Sequence, residues 1–184
     1  MFAYVLCILC GCLVKLADDI ADDRRLSRHS AYGYMAGVAY GLVGAIIFTH
    51  SPVLATAALA VIVAVVLAGK EDHPIHYAGM LTFVLASIAL GLKMPYFLPL
   101  AALVLAAYMD ELLSDRASLG QIKDKTLRKL LSYRILLDVT AILVSLFLSE
   151  PAYAFAVIGF DAGYQLMGWL DQNLSHSYAS KNQK

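Results

Sequence analysis

Residues 2–17 read FAYVLCILCGCLVKLA, and the chain then turns at once to Asp18-Asp19-Ile20-Ala21-Asp22-Asp23-Arg24-Arg25. An apolar run with one lysine, closed by acids and then bases, describes a helix that stops at a water boundary. It has no basic lead and no small-residue cleavage site, so it reads as a retained helix rather than a removable signal. Cys7, Cys10 and Cys12 all fall inside it. They are poorly placed for a closed metal site or a disulfide framework and are expected to pack as small side chains.

Further apolar blocks, each near the roughly 20 residues a bilayer demands, lie at 31–50, 52–69, 77–92, 94–113, 130–149 and 151–170, making seven with the first. Ser51-Pro52, Lys93-Met94-Pro95 and Glu150-Pro151 punctuate them. Proline there ends one helix and begins the next, leaving tight turns. Composition agrees: 60% of the 184 residues are hydrophobic and 15% charged, with a mean hydropathy of +0.70. Soluble domains run at about 45–50% and 25%. The expected fold is therefore all-α, a polytopic membrane helix bundle forming one domain over residues 1–184. Fourteen basic residues balance fourteen acidic ones, and without a basic excess no nucleic-acid partner is expected.

Charge position sets the expected orientation. Lys15, Arg24, Arg25, Arg28, Lys70, Arg116, Lys123, Lys125, Arg128, Lys129, Arg134, Lys181 and Lys184 fall on one set of connections, and Lys93 alone on the other. Basic loops stay cytoplasmic, which places the N-terminus outside and the C-terminus inside a cell membrane.

The acidic run recurs. Asp18-Asp19-Ile20-Ala21-Asp22-Asp23-Arg24 aligns without a gap over Asp110-Glu111-Leu112-Leu113-Ser114-Asp115-Arg116, at an offset of 92. After a further shift of about seven residues, Ser51-Pro52 matches Glu150-Pro151, Gly69 matches Gly168 and Asp72 matches Asp171. This is an internal repeat: units of three helices over about 1–76 and 93–175, sharing one orientation and bridged by helix 77–92, a 3+1+3 plan.

If the first helix continues through its acids, Asp18 stacks on Asp22 and Asp19 on Asp23, as Glu111 stacks on Asp115. Like charges at that spacing repel by a few tenths of a kcal/mol, and carboxylates at a helix C-terminus face the unfavourable end of its dipole. A hard divalent cation offsets both, and Mg²⁺ takes one or two carboxylates while leaving positions for substrate phosphate. Two such helix ends facing each other would hold ions across a diphosphate. Arg24, Arg25, Arg28, Lys70, Arg116 and Lys123 would neutralise the remaining phosphate charge. The alternative for either run alone is a solvated boundary of paired charges; recurrence in register favours the metal.

Two acidic motifs at inner helix ends, four helices apart, resemble the UbiA-type intramembrane prenyltransferase superfamily. Its N-x-x-x-D-x-x-x-D and D-x-x-x-D motifs are matched here by Lys15-x-x-x-Asp19-x-x-x-Asp23 and Glu111-x-x-x-Asp115, followed by Arg116 and Gly120. Gly69-Lys70-Glu71-Asp72-His73 is similar to another basic loop of that family. Lys15 stands for its Asn, Glu111 for its Asp and Ser114 for its Gly, and seven helices stand where nine are usual. The resemblance implies magnesium-dependent transfer of a prenyl chain from an isoprenyl diphosphate to a lipophilic acceptor. Asp19, Asp23, Glu111 and Asp115 would be the catalytic metal ligands, with Asp18, Asp22 and Asp110 assisting.

A different class stays open. Asp161 and Asp138 fall within apolar blocks, where a carboxylate costs roughly 2.5–3.5 kcal/mol, and they fit a small 3+1+3 transporter as well as a hydrogen-bonded helix contact. His73 and His76 have ligand spacing, but Pro74 between them argues against a regular helix there and against zinc. Gly33, Gly37, Gly41 and Gly44 form a small-residue stripe that close helix packing explains, and the eleven tyrosines fit an interfacial belt.

Overall fold

The computed structural model describes residues 1–22, 31–70, 73–131, 133 and 135–181, the side chains of 172 and 174–181 excepted. Asp23, Arg24, Arg25 and Arg28 of the expected site lie outside the described residues. The protein is all-helical, with eight helices and no strand among those residues: α1 (Phe2–Asp22), α2 (Ala31–His50), α3 (Pro52–Leu67), α4 (Pro74–Leu90), α5 (Phe97–Ser118), α6 (Lys125–Leu131), α7 (Ile135–Leu148) and α8 (Ala152–Lys181).

Helix starts follow local chemistry. Ser51 is the N-cap of α3, its Oγ accepting from the amide of Leu54 at 3.3 Å, and Pro52 opens the first turn. His73 caps α4 in the same way, its Nδ1 accepting from the amide of Ile75 at 3.3 Å. Pro74 is then a first-turn residue, where it gives up no hydrogen bond. The sequence-based objection to a helix through His76 fails for that reason. α1 continues through Asp18 and Asp22, and α5 through Asp115 and Arg116. α8 runs past Gly168 to Lys181, so Gly168 does not act as Gly69 does, whose φ of +68° follows the end of α3.

By length and composition, α2 and α5 are long and apolar enough to cross a membrane, or three spans if α6 and α7 count as one bent span. α3 and α7 have 16 and 14 residues, shorter than the blocks 52–69 and 130–149 read from sequence, while α4, with 17, begins three residues before its block 77–92 and ends two before the block does.

α1 packs on α2 and α8, α3 on α2 and α5, and α7 on α5 and α8, which closes a ring in the order α1, α2, α3, α5, α7, α8. α3 also touches α8 across the ring, while α4 lies against α2 and touches α1. The core joins Leu6, Cys7, Ile47, Leu54, Ala57, Leu103, Tyr153 and Val157 at the end of the ring away from the acidic runs. Close approach is made by glycine. A Cβ on Gly37 would sit 2.6 Å from the carbonyl of Ile75, and one on Gly41 2.4 Å from that of Gly79, so the α2 stripe is a backbone contact with α4. The tightest approach to backbone is not evident in the sequence: Cβ atoms on Gly11 and Gly163 would lie 2.0 Å from the carbonyls of Phe160 and Ile8, where α1 meets α8.

Candidate functional site

A cavity of about 640 Å³ lies among α1, α2, α3, α4, α5 and α8. It has two chemically distinct ends, because α1 and α8 each pass along it from apolar residues to Lys15, Asp18 and Tyr164, and α3 is followed by Lys70. Cys7, Ile47, Ala57 and Val157 line one end; Lys15, Asp18, Asp22, Lys70, His73, His76, Glu111 and Tyr164 line the other.

The polar end is held by interhelical pairs. Asp18 on α1 accepts from Tyr164 Oη on α8 at 2.7 Å and faces His76 Nε2 on α4 at 3.5 Å. Tyr40 of α2 donates to the carbonyl of His76 at 3.1 Å. Lys15 Nζ bonds Asp19 at 2.7 Å and lies 5.3 Å from the centre of the Tyr164 ring. Lys70, just beyond α3, bonds both Glu111 at 2.6 Å and Asp115 at 2.7 Å on α5. The two acidic helix ends are thus held by Tyr164 of α8, His76 of α4, Lys70 beyond α3 and, within α1, Lys15, and the lysines offset the repulsion of stacked carboxylates.

The expected residues are distributed unevenly. Asp18, Asp22, Lys70 and Glu111 line the cavity. Asp19 and Asp115 are tied to it through Lys15 and Lys70, and Asp19 keeps one buried oxygen, Oδ2, without a hydrogen-bond partner. Asp110 is engaged elsewhere: 2% exposed, it accepts from the amides of Leu136 at 3.1 Å and Leu137 at 2.6 Å, closing the N-terminus of α7. A carboxylate there satisfies orphan amides and sits at the favourable end of the dipole. Arg116 and Lys123 are exposed and do not line the cavity. Among the described residues no group of three or more histidines, cysteines or acids is arranged to hold a metal.

Tyr40, His76 and Tyr164 are additions to the sequence reading. Tyrosines expected at an interface prove to be interior hydrogen-bond donors at these two positions. Their only signal was position: Tyr164 lies one turn from Asp161, and His76 sits in the first turn after a cap-and-proline start.

A smaller cavity of about 30 Å³ is lined by Asp110, Glu111, Asp138 and Asp161 together with Phe160, which also lines the large one. Asp138 Oδ1 is buried without a hydrogen-bond partner, and Asp161 accepts from Gln165. No family model, characterised protein or solved structure matches the chain.

Proposed function

We propose that this chain is a multi-span membrane enzyme of the intramembrane prenyltransferase type, with its acidic helix ends at the cytoplasmic face and its N-terminus outside. The observation that carries the reading is the 640 Å³ cavity, apolar along most of its length and charged at one end. That shape suits an amphiphile with a polar head, an anionic one once a cation has joined the carboxylates, and its volume is in the range of small-molecule sites. The exterior supports a lipid setting: Phe97, Leu98, Leu146 and Phe147 are each more than 70% exposed, and apolar surface of that kind calls for an apolar partner. The helix ring supports the repeat, because exchanging α1 with α5, α2 with α7 and α3 with α8 leaves its order unchanged. The seven blocks, with α4 as the bridge, are the proposed 3+1+3 bundle.

In this mechanism Lys70 and Lys15 leave their carboxylates for the phosphate oxygens and hold the diphosphate by charge-assisted hydrogen bonds before and during its departure. Asp19, Glu111 and Asp115, relieved of their lysines, would hold magnesium together with Asp23, with Asp18 and Asp22 assisting; the partnerless Oδ2 of Asp19 fits that donor set. Magnesium supplies Lewis-acid stabilisation of the departing diphosphate. Asp110 serves by fixing α7. The apolar walls keep water from the allylic cation until the lipophilic acceptor takes it.

A second reading has its own observation: Asp138 and Asp161 share one small cavity, as a proton-coupled transporter would use them. The deciding experiment is binding of a prenyl diphosphate analogue to the purified chain with and without magnesium. Metal-dependent binding is expected. Absence of binding, together with a pH-dependent solute flux lost in Asp161→Asn, would replace the enzyme by the transporter.

A further inference from the structure

The apolar part of the large cavity has a measurable depth and a solid floor. On α1 the apolar lining runs from Cys7 to Val14, on α3 from Ala57 to Val65 and on α8 from Ala156 to Phe160. At 1.5 Å of rise per residue, the two longer stretches span roughly 10–12 Å. An extended chain advances about 1.2 Å per bond, so an isoprene unit of four bonds takes a little under about 5 Å, and between two and three units fit.

The floor is closed by side chains that have no room to yield. Cys7, Ile47, Ala57, Ala156 and Val157 are 3–5% exposed. They belong to the same core cluster as Leu6, Leu54 and Tyr153 behind them, the last being 1% exposed. Close-packed interior of this kind resists insertion, since extra methylenes force off-rotamer side chains and backbone shifts.

Resting on the prenyltransferase reading, we propose that the donor is a short allylic diphosphate of about ten to fifteen carbons, and that Ile47, Ala57 and Ala156 set this limit. Longer chains must leave carbons outside the pocket with the head group displaced from Lys15 and Lys70.

The test uses the full chain in lipid nanodiscs with magnesium and unreactive thiolodiphosphates carrying chains of two, three, four and six isoprene units. Two- and three-unit probes should bind, and four- and six-unit probes should bind roughly tenfold or more weakly, the scale on which a filled apolar pocket discriminates. Ala57→Leu and, separately, Ala156→Leu should raise the floor and weaken the three-unit probe about tenfold while the two-unit probe stays within about twofold. Ile47→Ala should lower the floor and restore four-unit binding, a readout that survives if a larger side chain prevents folding. Affinity that rises through six units, or a preference that none of these variants moves, would overturn the length limit and leave the enzyme reading standing. If no probe binds with or without magnesium, both fall together.

Discussion

The ammonium of Lys70 lies 2.6 Å from Oε2 of Glu111, a carboxylate whose side chain is only 6% exposed. A residue just beyond α3 therefore neutralises an acid buried on α5, and the same ammonium reaches Asp115 at 2.7 Å. Removing one partner of a buried pair leaves the other desolvated and uncompensated. Lys70→Met should cost about 2–3 kcal/mol in denaturant unfolding. Glu111→Gln in the same chain should recover most of that loss, a coupling that a double-mutant cycle reads directly. Additive losses would show that the two side chains do not depend on each other.

Asp110 is expected to matter for folding more than for chemistry. Its two oxygens accept the amides of Leu136 and Leu137, so Asp110→Ala strips the start of α7 and should destabilise by about 2 kcal/mol, in line with hydrogen bonds to a charged acceptor. Asp110→Asn keeps one acceptor and should lose less. Asp22→Ala, at an exposed position, should change unfolding by less than about 0.5 kcal/mol. Equal losses from Asp110→Ala and Asp22→Ala would refute the capping role.

The helices were legible because proline and apolar length act locally. Ser51-Pro52 starts a helix wherever it lies, since the cap and the fixed φ need only their own neighbours. The start of α7 at Ile135 was not legible, because the group that ends its orphan amides is Asp110, 26 residues away from Leu136. The acidic runs could be found from their spacing, but their partners could not. Lys70, Tyr164 and His76 reach them across helix contacts that depend on the bundle, and Asp110, matched in register to Asp18, has a different task because it accepts the first amides of α7. α3, at 16 residues, was read too long because its helix ends just before Gly69, and α4 was read too far along because Gly91 ends it inside the apolar block while His73 and Pro74 start it three residues earlier; both glycines are at positive φ.

The crossing of α1 and α8 should be the least tolerant contact in the molecule. Gly11→Ala or Gly163→Ala puts a methyl group 2.0 Å from a carbonyl oxygen of the opposing helix, and the opposing atom is backbone. Either substitution should cost about 3 kcal/mol or more by overpacking. It should also loosen the Tyr164–Asp18 bond that joins the same two helices. Gly69→Ala meets no atom within 4 Å, but at φ +68° it should cost only about 1 kcal/mol of backbone strain. Melting curves of the three variants in one detergent give the ranking; a Gly11→Ala protein as stable as Gly69→Ala would mean that α1 and α8 are further apart than described.

Orientation has a direct check. A cysteine replacing Ser118, exposed at the end of α5, should be protected from an impermeant thiol reagent outside intact cells and react once the membrane is opened. A cysteine replacing Lys93 should behave in the opposite way. These outcomes follow from basic residues staying cytoplasmic, and reaction of the Ser118 position from outside would invert the bundle and put the acidic ends on the wrong side for cytoplasmic diphosphate.

The site itself is tested by comparing acids that share a charge but differ in place. Among the described residues Asp19 and Asp115 pair with lysines from the cavity end, so each can pass from an ammonium to a metal ion without breaking a helix cap. Asp124 has no such freedom: its Oδ1 accepts from the amide of Leu127 at 2.7 Å at the start of α6, and asparagine preserves that cap. Asp19→Asn and Asp115→Asn should therefore fold normally and lower magnesium-dependent transfer by about 10²–10³, the cost of losing one group that stabilises charge developing in the transition state. Asp124→Asn should remain within about twofold of the parent, as a surface change should. Lys70→Met should raise the apparent KM for the diphosphate before it lowers kcat, because a lysine on phosphate contributes to binding in ground and transition state alike. The order of effects matters as much as their size. If Asp19→Asn and Asp115→Asn match Asp124→Asn in transfer and in metal-dependent binding, the two acidic runs are boundary charges held by lysines, and the prenyltransferase reading is lost.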